Sequence, residues 1–168
     1  MRCFFLRIAV LSDTHVGDKA RALPPVLIEK MHNAEPELIL HAGDVTAPIV
    51  LETLEEIAPV LAVRGNVDYL GLPEEEKIEA DQIRIGVIHG HQLLSLNAQF
   101  LTLKALDMDV DLLVFGHTHR FYFDSFSLYG KRVYLLNPGS PTFPRWDDAG
   151  FVLLRTGEEL LVERIKLW

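Results

Sequence analysis

The stretch Leu112-Leu113-Val114-Phe115-Gly116-His117-Thr118-His119 decides how the rest of the chain is read. It is an apolar run that reads as a buried strand and passes through one glycine into two histidines spaced by a single residue. Four other stretches have the same form. Ile8 to Leu11 leads to Asp13 and His15, Leu38 to Leu40 leads to Asp44, Val60 to Val63 leads to Asn66, and Ile83 to Ile88 leads to His89. Open α/β sheets bind their ligands outside the carboxyl ends of the strands. The five runs therefore predict a single edge carrying the N/O donors Asp13, His15, Asp44, Asn66, His89, His117 and His119, a set suited to a pair of metal ions.

Working outward, Phe4 to Leu11 is expected as the first strand and Ser12 to Asp18 as a polar loop. Pro24-Pro25 opens a helix running to about Asn33, because proline is tolerated where the backbone N–H is unpaired in any case. Glu37 to Ala42 reads as a strand, and Pro48 to Ile57 as a helix with Ile49, Leu51, Leu54 and Ile57 on its apolar side. Val60 to Val63 is the third strand. This alternation favours a parallel sheet with helical crossovers. Glu74 to Lys77 reads as a solvated loop, followed by two short strands about a turn at Asp81-Gln82. Ser95 to Met108 is expected as the last helix, with Leu96, Phe100, Leu103 and Leu106 near helical spacing. The strand-like runs after it, Phe121 to Phe126, Lys131 to Leu136, Gly150 to Arg155 and Leu160 to Leu167, are joined by glycine turns and expected to be antiparallel. The fold class predicted is α/β, two packed mixed β-sheets flanked by helices in an α/β/β/α sandwich.

The 168 residues suit one domain spanning 1–168, with 49% hydrophobic and 24% charged residues, ordinary for a globular protein. A net charge of −8 and the lack of a basic stripe argue against a general phosphate-backbone binder. Nucleic acid is thus expected only as a substrate, and self-association is left open. The one cysteine, Cys3, cannot form an internal disulfide. Met1 to Leu11 has a faint signal-peptide look, but Arg7 interrupts it and no small-residue cleavage site follows. No run approaches the ~20 apolar residues of a membrane span. A cytoplasmic protein with no membrane partner is expected.

The order Asp13-x-His15, Gly43-Asp44, Gly65-Asn66, His89 and Gly116-His117-x-His119, with Asn137-Pro138-Gly139-Ser140 after it, resembles the calcineurin-like metallophosphoesterases. Within that superfamily it is most similar to the small bacterial and archaeal phosphodiesterases of the YfcE type. The resemblance runs from Ile8 to about Arg145. It implies that Asp13, His15 and His119 bind one metal, that Asn66, His89 and His117 bind the other, and that Asp44 bridges them. It also implies a phosphodiesterase that uses a metal-bridging hydroxide for in-line attack on phosphorus, with a small phosphoester as substrate. Imidazole, carboxylate and amide ligands without thiolate suit manganese, the ion expected here, and equally iron, zinc, cobalt or nickel. A different class of function stays open, because the scaffold subunit of eukaryotic retromer shares this fold and works through its surface.

Taken singly, each of these residues has a plain structural reading, since Asp and Asn beside glycine are ordinary turn residues. His41, inside a strand, and His32, near a helix end, are read as structural. Arg145 offers a planar fork to a substrate phosphate, or else a surface salt bridge. His91 is placed to protonate a leaving group, or else to hydrogen-bond a carboxylate behind the ligands. Many members of the family carry histidine after the loop asparagine, where this chain has Val67. Esters with good leaving groups are therefore expected, with Asp68 or His91 as substitute acids.

Overall fold

The computed structural model describes residues 5–168; the expected start of the first strand at Phe4, and Cys3, lie outside them. The observed strands are β1 (Arg7–Leu11), β2 (Leu38–His41), β3 (Val60–Ala62), β4 (Glu75–Ala80), β5 (Ile83–Ile88), β6 (Leu112–Val114), β7 (Phe121–Leu128), β8 (Lys131–Pro138), β9 (Gly150–Arg155) and β10 (Leu161–Lys166). The helices are α1 (Pro25–Ala34), α2 (Pro48–Glu55) and α3 (Ala98–Asp107). One five-stranded sheet has the order β10-β9-β1-β2-β3 and the other β4-β5-β6-β8-β7.

Alternation of side chains along the strands builds three apolar layers. Ile8 and Val10 of β1, Leu40 of β2, Ile85 and Val87 of β5, Leu112 and Val114 of β6 and Val152 of β9 meet between the sheets. On the opposite face of the first sheet, Ala9, Leu11, Ile39 and Phe151 pack on Leu27 and Met31 of α1 and Val50 and Leu54 of α2. On the outer face of the second, Leu113, Val133 and Leu135 pack on Leu101 and Ala105 of α3. The result is the predicted α/β/β/α sandwich. Among the described residues no helix is long and apolar enough to cross a membrane.

Four local expectations are corrected. Glu75 to Lys77 belong to β4, which pairs antiparallel with β5 from Glu75 opposite Ile88. This is an edge strand, so one face stays in water and tolerates the charges that suggest a loop. The last four strands do not form one antiparallel set. β7 is antiparallel to β8, but β8 runs parallel to β6, while β9 crosses back to pair antiparallel with β1 and with β10. The α3 helix begins at Ala98, because Asn97 caps it by accepting a hydrogen bond from the Phe100 N–H at 2.9 Å. Its buried side is Leu101, Thr102 and Ala105, with Leu103 38% exposed; in α2 likewise Val50 and Leu54 are buried and Ile49 is 55% exposed. The rest of each expected stripe holds, since Leu54 is buried and Leu51, Ile57, Leu96 and Leu106 pack against the apolar layers, and only Ile49 and Leu103 turn outward.

Parallel β1, β2 and β3, and parallel β5, β6 and β8, bring the loops after their carboxyl ends to the site.

Candidate metal centre

Asp13, His15, Asp44 and His119 present one ligand atom each, all within 4.8 Å of one another, and Asp44, His89 and His117 do the same. Asp44 is common to both groups. Its Oδ2 lies 3.3 Å from His15 Nε2 and 3.3 Å from His89 Nε2. The amide oxygen of Asn66 completes the second group, 2.9 Å from His89 Nε2 and 3.1 Å from His117 Nδ1. The seven side chains expected from the sequence thus come together from five loops. Asp13, His15, Asp44, His89 and His119 are buried, His117 is half-buried, and Asn66 is exposed.

The backbone is bent to make this possible. Asp13 (φ 55°), His15 (46°), Asp44 (56°), His117 (72°) and His119 (60°) all occupy the left-handed region that side-chain-bearing residues seldom adopt. Such strain persists only where the surroundings over-determine it, and it gathers at functional sites. Two glycines let the loops approach each other. A Cβ on Gly65 would run into the Asp44 carboxylate, and one on Gly116 into the Ser12 hydroxyl.

Hydrogen bonds on the far side of each ring set which nitrogen faces the centre. His89 Nδ1 donates to the Ala42 carbonyl at 2.8 Å, His119 Nδ1 to the Phe143 carbonyl at 2.7 Å, and His15 Nδ1 to the Asp18 carboxylate at 3.1 Å. With those protons placed, the Nε2 atoms are free to offer lone pairs. Yet His15 Nε2 faces His119 Nε2 at 3.3 Å, and His89 Nε2 faces His117 Nδ1 at 3.2 Å. Donor atoms converging at that range around the Asp44 carboxylate are arranged as a cation would hold them. Asp13 makes the same point: Oδ2 accepts from the Ser12 hydroxyl and the His117 N–H, while Oδ1 is buried without any hydrogen-bond partner. A buried, unpaired carboxylate oxygen 3.4 Å from His119 Nε2 is a position for a metal. The donor set fits a dinuclear centre.

The electrostatics of the metal-free chain agree. Burial pushes the Asp13 carboxyl up to about 6. Burial would also raise Asp44, but its contacts with His15 and His89 outweigh this and hold it far below the carboxylate range. His15 and His89, which burial alone would lower, are raised, mainly by Asp44. Burial lowers His117, helped by the neighbouring His89, and brings His119 down to about 4, helped by the Arg145 charge.

Asp68 is placed differently from the acid anticipated at its position. Its Oδ2 accepts from the backbone N–H groups of Asp44 and Gly65 at 2.9 and 2.8 Å, and its Oδ1 from that of Thr46 at 2.8 Å. It ties the loop of Asp44 to the loop of Asn66. Removing it leaves these donors unpaired at about 1–3 kcal/mol each. Asp68→Ala is expected to unfold at several degrees lower temperature and to hold metal less tightly, with the pH dependence of hydrolysis unchanged in shape. A lost limb of the pH profile with unaltered stability would instead make it a proton donor.

His91 lies with its ring 5.4 Å from that of His89, and its Nδ1 is buried without a partner. Arg145 is exposed, with its guanidinium 5.9 Å over the Phe143 ring and its N–H on the His119 carbonyl at 3.3 Å. His41 is fully buried and lowered to about 4 by burial. Neutral, it accepts from the Gly43 N–H and meets the Thr14 hydroxyl at 3.0 Å, which supports the structural reading.

Groups that support the ligands lie outside the set expected from the sequence. Ser140 donates to the Asp13 carbonyl at 2.8 Å, and Asn137 binds the Gly116 carbonyl and the Thr118 hydroxyl, both at 2.9 Å. The signal for them is a polar Asn-Pro-Gly-Ser run directly after a buried strand. Asp18, three residues beyond His15, carries no comparable signal.

The chain belongs to the calcineurin-like phosphoesterase superfamily, whose domain model matches residues 6–159. A probable metallophosphoesterase of Methanocaldococcus jannaschii is 44% identical over 161 residues, covering 95% of this chain and 81% of that protein. Vps29 of Chaetomium thermophilum superposes with a TM-score of 0.79 at 24% identity, covering 95% of each chain, a likeness of fold. Wild-type Vps29 of Entamoeba histolytica, solved in complex with Zn2+, gives a TM-score of 0.75 at 27% identity, covering 97% of this chain and all of that one.

Proposed function

We propose that this protein is a dinuclear metal-dependent phosphoesterase that acts on phosphodiesters. The observation that carries the reading is the convergence of imidazole nitrogens and the unpaired Asp13 oxygen around Asp44. The M. jannaschii relative, described as a probable metallophosphoesterase, supports the same class. Asp13, His15, Asp44 and His119 would hold one ion and Asp44, Asn66, His89 and His117 the other. When bound, such a pair supplies Lewis acidity and water acidified to a pKa near ~7 for in-line displacement at phosphorus.

The residues of the chain do the rest. Asp44 would lend its charge to both ions, and the Ala42 and Phe143 carbonyls, accepting from Nδ1 of His89 and His119, leave each Nε2 to face a metal. Arg145, exposed beside His119, offers parallel N–H groups to a phosphate oxygen. Arg145 is a single positive charge. That supports a singly charged diester. Val67 has no proton to give, so His91 is the nearer candidate to assist departure of the alcohol, and esters of acidic alcohols should react best. Manganese is the proposed ion, and zinc is the first alternative because the Entamoeba homologue binds it.

The test uses chain stripped with chelator and reloaded with Mn(II). Hydrolysis of bis(p-nitrophenyl) phosphate in preference to p-nitrophenyl phosphate, abolished by EDTA, is expected. Metal uptake with no hydrolysis of either ester by the Mn, Zn, Fe, Co or Ni forms would overturn the reading and favour a scaffold.

A further inference from the structure

We infer that Trp146, on the loop whose Phe143 packs against His119 of the metal centre, is an aromatic platform that stacks on a flat ring of the substrate, making that substrate a nucleoside or aryl phosphodiester. The inference rests on the phosphoesterase reading above and specifies its substrate class. Phe143 is fixed against the centre: its ring meets that of His119 edge-on at 5.7 Å, and its carbonyl takes the His119 Nδ1 proton. Arg145 lies over the same ring, which places a cation for the phosphate next to a surface for the organic group.

Trp146 follows directly, 94% exposed and with φ 55°. Tyr129, at the turn between β7 and β8, shares both features, and what sets Trp146 apart is that its loop carries Phe143 and Arg145 against His119. Looseness of the loop does not account for them. On one side the Ser140 hydroxyl accepts from the Phe143 N–H at 2.8 Å, and the Arg145 N–H reaches His119. On the other, Asp147 accepts from the Phe121 N–H and from Arg164, both at 2.6 Å. Trp146 sits between these anchors and packs into none of the apolar layers. A solvated indole on a pinned backbone, one residue on from the exposed Arg145, has the chemistry of a stacking surface, which accepts any base because every base has a π-face.

The chain has two tryptophans, so Trp168→Phe leaves Trp146 as the sole indole. In the Mn(II)-loaded form of that variant, adenosine 5′-monophosphate, a product such an ester would release, is expected to quench the fluorescence saturably. Ribose 5-phosphate should bind about tenfold more weakly without quenching, the loss of one stacking contact. Phenyl phosphate separates the sources: quenching by it as well means any flat ring is accepted, and quenching by adenosine 5′-monophosphate alone means a nucleobase is required. By calorimetry, Trp146→Ala should weaken adenosine 5′-monophosphate about tenfold and leave ribose 5-phosphate unchanged, with Trp146→Phe restoring most of the loss. Equal affinity for the two phosphates, an unchanged affinity in Trp146→Ala, or no saturable binding of either aromatic phosphate overturns the platform. If diesters are hydrolysed while binding ignores Trp146, only this inference falls. If nothing is hydrolysed but Trp146 still governs binding, the platform stands and the enzymatic reading falls.

Discussion

Asp44→Asn is expected to lower diester hydrolysis by about a thousandfold and to reduce the bound metal from two ions per chain to one or none, because Asp44 is the residue common to both ligand groups. An amide of the same shape still accepts the Val67 N–H that Asp44 Oδ1 accepts at 3.1 Å, so the loop keeps its local bond. What is lost is the negative charge shared by the ions. Each ion contributes several kcal/mol to stabilising the charge that develops at phosphorus, and about 1.4 kcal/mol is a tenfold change in rate. Steady-state kinetics with metal analysis of the same sample, and circular dichroism for the fold, make the comparison. Near-normal activity with two ions retained would remove Asp44 from its bridging position.

The second large effect is on metal affinity as pH changes. In the metal-free protein Asp13 holds its proton up to about 6, and His15 and His89 are raised above their ordinary value of 6.5. Cations need the bare carboxylate and the neutral rings, so binding near neutrality expels protons. Affinity should therefore fall at least about tenfold per pH unit as the pH drops below ~6, one factor of ten for each proton in competition. The sign for stability follows from the same groups. Each has a folded pKa above its unfolded one, so the stability it confers is fully present below the unfolded value and is lost as pH rises through the folded value. Asp44 has the opposite sign, but its change lies in strong acid. The gap in melting temperature between metal-loaded and metal-free protein should consequently widen between about pH 5 and pH 7.5. Calorimetry in buffers of different ionisation enthalpy counts the protons released. A pH-independent affinity would mean that these groups are not ligands.

Much of the fold and most of the metal centre are legible in the sequence because burial and chemistry sit next to each other along the chain. The run Leu112 to Phe115 is apolar on both faces because both faces are covered, Leu112 and Val114 by the other sheet and Leu113 and Phe115 by α3. The donor that follows each run marks the strand end. What the residues do not reveal is what depends on tertiary context. The charges of Glu75, Glu76 and Lys77 conceal the start of an edge strand whose pairing with β5 is a backbone matter. That β8 runs parallel to β6 has no local signature, since the intervening hairpin with β7 looks like any antiparallel pair. Asp68 resembles an acid by position, and only the fold shows its oxygens taken up by three backbone N–H groups. Asp18 and the Ala42 and Phe143 carbonyls orient histidines across space, and a carbonyl carries no signature in a sequence.

Whether two cations share Asp44 is tested most directly by anomalous diffraction from crystals of the Mn(II)-loaded protein. Two peaks roughly 3.5–4 Å apart are predicted, with the Asp44 carboxylate reaching both. A single peak, or two peaks of which one lies beyond the reach of Asp44, would contradict the shared centre.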